Sequence, residues 1–279
     1  MNTNSFASSA FALTILGHAV KFGLCEMELL QRAGISLSWL VDRPHIPAQL
    51  VDQLWRECEK AGAARNFGCE MAQGMATSCL QGLNILLDSA PTLRASLRCF
   101  IQHSSIVTNY VLVDLEEVES EARLYLRPSL NQPHFFGYDA AMVSLVSNLS
   151  RRVGLFPRDL FTGVTLAPEQ AAAQWLQSQD MSTEQGSYPC LRMPRIALDL
   201  PLIGANPFLH QKMLQHWKSS TLSDARSDSL ELARHWLIAG DQPIERIAER
   251  LGYRQSSNFI RAFRKQFGIT PKQFRLASL

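Results

Sequence analysis

The sequence has few of the features that mark membrane, secreted or metal-binding proteins. No stretch reaches the roughly 18 uninterrupted apolar residues of a membrane-spanning helix. A signal peptide has Lys or Arg before its apolar segment, and neither residue precedes the apolar segment 6–20. The six cysteines include no C-x-x-C pair, and the seven histidines lack metal-ligand spacing. We therefore expect a cytoplasmic chain with unpaired thiols, no metal, no cofactor and no contact with a membrane.

The sequence also lacks the short motifs of several enzyme classes. It contains no G-x-S-x-G nucleophile elbow, no G-x-G-x-x-G or other glycine-rich phosphate loop, and no H-E-x-x-H zinc motif. Its acidic cluster at Glu116, Glu117, Glu119 and Glu121 falls in a predicted hairpin turn, where solvated charge is the expected interpretation. An enzyme is the weakest hypothesis, and we predict no catalytic residue.

Charge is distributed unevenly along a chain of otherwise ordinary composition. Its 279 residues suit about two domains, and 46% hydrophobic with 19% charged residues indicates a globular core. Residues 241–279 contain eight basic and three acidic residues, a net charge of +5, which leaves −3 on the remainder of a chain whose total is +2. A basic C-terminal module on a mildly acidic body is the asymmetry expected when one domain meets a polyanion.

The first two hundred residues show a mixed pattern. Apolar positions recur at three- and four-residue steps over the first hundred residues, which predicts helices. Alternating runs at 109–115 and 122–127 predict a β-hairpin. Further predicted elements are a helix at 138–153, a strand at 161–166, a helix at 169–177 and a strand at 196–200. We predict an α+β domain over residues 1–206 and a helix with a linker over 207–228.

Residues 243–268 predict two helices joined by a tight turn. The first carries apolar residues at i, i+3, i+4 and i+7 from Ile244 to Leu251 and ends at Gly252. The second runs from near Ser256 to Gly268, and its apolar face consists of Phe259, Ala262, Phe263 and Phe267. At 100° per residue the opposite face carries Ser257, Arg261, Arg264 and Lys265. That face suits the DNA major groove, although a solvated basic face is the alternative for a lone helix.

The run IAERLGYRQSSNFIRAFRKQFGITPKQFR at residues 247–275 resembles the signature of the AraC/XylS family of transcription regulators. The matching positions are Ala248, Gly252, Tyr253, Phe259, Arg261, Phe263, Lys265, Gly268, Thr270, Pro271 and Arg275. The preceding run LELARHWLIAGDQPIERIA resembles the family's connecting helix followed by the opening of its second helix-turn-helix. Looser matches at 33–54, 67–71, 91–97 and 205–211 resemble the sensor domain of one branch of the family, so the resemblance extends over nearly the whole chain.

The sequence departs from the family pattern in one respect. Family members ordinarily carry two helix-turn-helix units, whereas residues 229–279 have room for one, so we predict a single-unit DNA-binding domain there. In the helix predicted at 229–238, Ala233, Trp236 and Leu237 face this unit, and Leu230, Leu232 and part of Trp236 cover the flank that the absent unit would bury. We expect that flank to be packed on the sensor domain or buried against a second chain.

The resemblance implies an α+β effector-sensing and dimerising domain followed by a small all-α helix-turn-helix domain. It implies a nucleoid-associated, sequence-specific regulator of transcription, with promoter or operator DNA, a small-molecule effector and a second copy of the chain as partners and RNA polymerase as a further candidate. No residue can be assigned to the effector. In the alternative hypothesis the shortened chain no longer binds operators and acts by hetero-oligomerisation with full-length relatives.

Residue roles follow from the resemblance and the helical angles. Arg261 is expected to read a base, and three neighbours are expected near the groove floor: Arg254, Ser256 and Ser257. Phosphates are expected to be held by Arg264, Lys265, Lys272 and Arg275.

Overall fold

A computed structural model describes residues 5–75, 77–128, 130, 133–168, 170–217, 230, 233, 237, 243–250, 253 and 255–277. The chain divides into two compact units, Met1–Leu214 (unit 1) and Gln215–Leu279 (unit 2). Unit 1 combines helices with sheets and the described part of unit 2 is helical, which confirms the predicted fold class. None of the described helices is long and apolar enough to cross a membrane.

The first part of unit 1 is mainly helical, as predicted. Its helices are α1 (Ser9–Lys21), α2 (Glu26–Ala33), α3 (Leu37–Asp42), α4 (Ala48–Lys60), α5 (Phe67–Gln73), α6 (Leu83–Asp88) and α7 (Leu93–Val107). Side-chain oxygens of Ser8 and Thr92 cap α1 and α7 by accepting hydrogen bonds from backbone N–H groups in the first turn. A short antiparallel pair, β1 (Phe6–Ser8) with β2 (His45–Pro47), is not predicted from the sequence, because three-residue strands leave almost no periodic signal.

A five-stranded sheet follows, in the order β3-β4-β7-β5-β6 among the described residues. The strands are β3 (Val111–Val118), β4 (Glu121–Pro128), β5 (Gly163–Leu166), β6 (Thr183–Gln185) and β7 (Cys190–Pro194). β5 and β6 are parallel, and the other neighbouring pairs are antiparallel. The predicted hairpin is confirmed, but its first strand begins two residues later than predicted, at Val111, and both strands extend further toward the turn, because Val118 pairs with Glu121 and only two residues form the turn.

Two sequence predictions about this sheet are wrong. The acidic cluster is not confined to the turn: Glu116 and Glu117 lie in β3, and Glu117 forms ion pairs with Arg94 and Arg195. The strand expected at 196–200 is instead a 3-10 turn, Arg195–Asp199. Neighbouring residues Ala197 and Leu198 are both buried there, which suits a tight turn and not the alternation of a strand.

The long helix α8 (Phe135–Val153) runs through the core of unit 1. It begins three residues before the predicted start, since the side chain of His134 accepts a hydrogen bond from the backbone N–H of Phe136. A Cβ on Gly68 of α5 would lie 2.3 Å from the carbonyl oxygen of Phe136, so a glycine is needed where the two helices approach. Helices α9 (Pro157–Leu160) and α10 (Ala172–Ser178) complete this part of the chain.

The last helices agree with the predicted ones where the structure describes them, except that the final helix, after Pro271, was not predicted. Residues 207–217 are helical (α11), and unit 2 contains α12 (Ile244–Arg250), α13 (Ser256–Phe267) and α14 (Pro271–Ala277). Leu251 and Gly252, the predicted end of the first helix, lie outside the described residues, as do residues 218–228. The single-unit interpretation therefore stays a prediction.

One buried cluster forms the core of unit 2. Its members are Leu230, Ala233, Leu237, Ile247, Ala248, Phe259 and Phe263. The placement of Leu230 on the flank that an absent first unit would bury is wrong. Leu230 is instead buried in the same cluster as Ala233 and Leu237, at positions separated by three and four residues that share one helical face. Leu232 and Trp236 lie outside the described residues.

Candidate nucleic-acid interface and ligand cavity

Aromatic packing fixes the orientation of α13. Phe259 and Phe263 are fully buried on one face of this helix. The ring of Phe263 contacts the rings of Phe259, Phe267 and Phe274, with centroids 5.7, 4.5 and 5.8 Å away. Gly268 ends the helix with φ of 78°, the left-handed conformation that glycine adopts without strain. The face of α13 away from this cluster is therefore held toward solvent.

That outer face carries the polar row identified in the sequence. Ser257, Arg261, Arg264 and Lys265 are all exposed, at positions i, i+4, i+7 and i+8 of one helix. Ser256 is half-buried at the first residue of α13, and Arg254 lies outside the described residues. Four of the eight predicted contacts thus form one continuous surface, which we call the basic face of α13.

The N-terminus of α13 adds a further feature to the basic face. Gln255 precedes the helix in an extended conformation and makes no side-chain capping hydrogen bond, and the first turn contains no acidic residue. Backbone N–H groups at such an end carry partial positive charge and can receive a phosphate oxygen. This arrangement suits a helix that meets the DNA backbone end-on.

Asn258 is a further candidate contact, which is not among the eight residues predicted from the sequence. It is exposed on α13 next to Ser257, and its Oδ1 accepts a hydrogen bond of 3.0 Å from Nη2 of Arg261. The available signal was the spacing, since an amide three residues before an arginine lies beside it on a helix. Asn258 orients the guanidinium of Arg261 and itself carries the donor and acceptor pair that adenine edges match.

Helix α14 positions the last two predicted contacts. Thr270 and Gln273 form a reciprocal cap, in which Thr270 Oγ1 accepts from the Gln273 N–H and Gln273 Oε1 accepts from the Thr270 N–H. Pro271 is buried in the first turn. Lys272 is exposed beside it, whereas Arg275 is half-buried on the following turn.

Unit 1 contains a cavity of about 140 Å³ between α7, α8, the start of β3 and a 3-10 turn at Thr77–Leu80. On α8 it is lined by residues spaced three or four apart, several of them small: Gly137, Ala140, Ala141, Ser144, Leu145 and Asn148. No pattern in the sequence indicates this lining, because the walls come from segments far apart in the chain. Among the described residues, no group of three His, Cys, Asp or Glu side chains is placed to hold a metal ion.

Two family models match the chain. The model described as "Arabinose-binding domain of AraC transcription regulator, N-term" matches residues 23–174, more than half of the chain. The model described as "Helix-turn-helix domain" matches residues 211–277. The first match contains nearly all of the cavity lining, and the second contains the basic face of α13.

Individual relatives are more distant. Over 44 residues the chain is 48% identical to the uncharacterized HTH-type transcriptional regulator YtdP of Bacillus subtilis (strain 168), a match that covers 16% of this chain and 6% of that protein. The crystal structure of the transcriptional regulator CdpR from Pseudomonas aeruginosa aligns with a TM-score of 0.47 and 15% identity, over 89% of this chain and 96% of CdpR.

Proposed function

Because this chain belongs to the family of AraC transcription regulators, we propose that it binds specific DNA sequences through unit 2 and responds to a small molecule held in unit 1. The basic face of α13 is the observation that supports DNA binding. Four exposed polar residues on one side of a helix, with a packed aromatic core on the other, match the recognition element of helix-turn-helix proteins.

In the proposed complex α13 lies in the major groove with its N-terminal half against the bases. Arg261 can donate two hydrogen bonds to a guanine edge, and Asn258 can pair with a neighbouring adenine. The uncapped N-terminus of α13 faces a phosphate. The remaining cations are proposed as backbone contacts that hold the register: Arg264, Lys265, Lys272 and Arg275. Arg254, Ser256 and Ser257 are proposed near the groove floor.

One recognition helix makes few contacts, so we propose that the chain binds DNA as a homodimer through unit 1. Affinity for DNA grows with the number of phosphates neutralised. A dimer doubles the number of DNA contacts, which compensates for the few contacts that a single helix-turn-helix unit makes. RNA polymerase is the protein partner expected of a regulator bound at a promoter.

Retardation of DNA in a native gel tests the proposal. The full chain is incubated with a pool of random duplexes, retained sequences are selected over several rounds, and the selected duplex is compared with a scrambled one of the same composition. We expect enrichment of a paired motif whose half-sites are about one helical turn apart. Absence of enrichment, combined with supershift of a full-length relative on its own operator, would favour the hetero-oligomer alternative.

Substitution of Lys265 by alanine is expected to weaken binding to specific and scrambled duplexes equally. The exposed ammonium is proposed to neutralise one phosphate, so its loss should lower the slope of log affinity against log salt by about one. Titrations at several salt concentrations measure the slope. Lys21→Ala is the matched control, because Lys21 is exposed at the end of α1 in unit 1. An unchanged slope in Lys265→Ala would remove Lys265 from the interface.

A further inference from the structure

We infer that the cavity of unit 1 takes a small, mainly apolar molecule with a single hydrogen-bonding head group, and that it does not take a sugar. The inference rests on the proposed function, since it names the chemistry of the effector. It follows from the size of the cavity, the apolar character of its walls and the pairing of its polar groups.

The walls of the cavity are dominated by apolar side chains. They include Phe11, Leu87, Leu97, Phe100, Val113 and Leu145. Small residues on α8 leave the space open, and Gly137 sets its limit on one side, since a Cβ there would lie 2.7 Å from the hydroxyl of Tyr110. An apolar protein cavity of about 150 Å³ accommodates a benzene-sized molecule. The cavity of about 140 Å³ therefore suits a ligand of about six to ten non-hydrogen atoms.

Most polar side chains that line the cavity are already engaged within the protein. Thr108 Oγ1 donates to the carbonyl of Phe6, and the hydroxyl of Tyr110 donates to Asp52. The other pairings join Ser8 to the N–H of Ala10, Cys79 to Thr14, Asn148 to the carbonyl of Ser144, and Arg152 to Asp88. Burial lowers the pKa of Arg152, and the adjacent Asp88 carboxylate opposes that effect.

Ser144 is the exception among the described polar residues of the lining. Its Oγ is buried and has no hydrogen-bond partner in the described part of the chain. A buried hydroxyl without a partner loses its hydration without compensation. A ligand that places one acceptor beside Ser144 restores that hydrogen bond and buries its remaining surface against apolar walls.

A pentose does not meet these conditions. Each of its hydroxyl groups would lose water on entry, and the described residues of the lining offer one unengaged side-chain partner, Ser144. Burial of polar groups without hydrogen bonds is unfavourable, so the cavity discriminates against polyhydroxylated molecules. Because the hydroxyl of Ser144 is unpaired, a molecule with one polar group is favoured over a molecule with none.

Titration calorimetry of the full chain with phenol, benzene and L-arabinose tests this inference. We expect saturable binding of phenol, about five- to tenfold weaker binding of benzene because the Ser144 hydrogen bond is missing, and no binding of L-arabinose. Ser144→Ala should weaken phenol binding by the same five- to tenfold and leave benzene binding unchanged. Ser147→Ala is the matched control, since Ser147 lies half-buried on α8 outside the cavity lining.

A second variant fills the cavity and leaves the hydroxyl of Ser144 in place. Ala141→Leu fills the cavity from α8 and should abolish binding of both aromatic probes, while circular dichroism reports whether the fold is retained. The inference is overturned if L-arabinose binds as tightly as phenol, if neither aromatic binds, or if the affinity for phenol is unchanged by both Ser144→Ala and Ala141→Leu. If the protein binds its selected duplex in the native gel but binds neither aromatic probe, this inference alone is overturned. If the protein binds phenol but no DNA, the proposed function alone is overturned.

Discussion

Replacement of Phe263 by alanine is expected to unfold unit 2. The ring is fully buried and contacts three other aromatic rings, so its removal leaves a cavity at the centre of the cluster. Truncation of a core phenylalanine costs about 3 to 5 kcal/mol, and a unit this small has little more stability than that. Unfolding of unit 2 would also abolish DNA binding, although no proposed contact has been removed.

Differential scanning calorimetry of the full chain measures this effect. The transition of unit 2 should shift to much lower temperature or disappear, while the transition of unit 1 stays in place. Leu276→Ala serves as the control, because Leu276 is an apolar residue of α14 that is 66% exposed and should be nearly neutral. If Phe263→Ala melts like the unmodified protein, the assignment of the aromatic cluster as the core of unit 2 is wrong.

The features of unit 2 that could be predicted from sequence are those fixed by local rules. The spacing of Phe259 and Phe263 determines which face of α13 is buried, and Gly268 determines where the helix ends. The exposed positions of Arg261 and Lys265 follow from the same spacing. The hydrogen bond between Asn258 and Arg261 could also be predicted from the sequence, since it joins residues one turn apart.

Unit 1 was less predictable because its decisive contacts join distant segments. β7 lies at the centre of the sheet, yet its five residues were missed in favour of the apolar stretch that follows. The charge of Glu117 is balanced by Arg94 and Arg195, which are remote in sequence and close only after the sheet forms. The cavity depends on small residues of α8 facing α7 and β3, and no pattern within α8 alone distinguishes that space from filled core.

Arg261→Ala is expected to weaken binding to the selected duplex by about 1 to 3 kcal/mol, or roughly five- to 150-fold in Kd, and to relax the preference at one base pair. The guanidinium is exposed on the basic face of α13 and is oriented by Asn258, so it is placed to donate two parallel hydrogen bonds to a base edge. Scrambled duplexes should lose much less affinity, because base recognition contributes only at the cognate site.

Arg261→Lys separates base recognition from charge. Lysine keeps the positive charge but lacks the planar pair of donors, so the variant should retain the salt dependence of binding and still lose the base preference. Asn258→Ala should show a smaller loss at the same base pair, since it leaves the guanidinium in place without its orienting partner. It should also relax the preference at the neighbouring base pair, where Asn258 is proposed to contact adenine. Binding measured against duplexes that carry each of the four base pairs at every position distinguishes the outcomes. Equal losses on all duplexes, restored by lysine, would show that Arg261 contacts a phosphate and that sequence recognition lies elsewhere on unit 2.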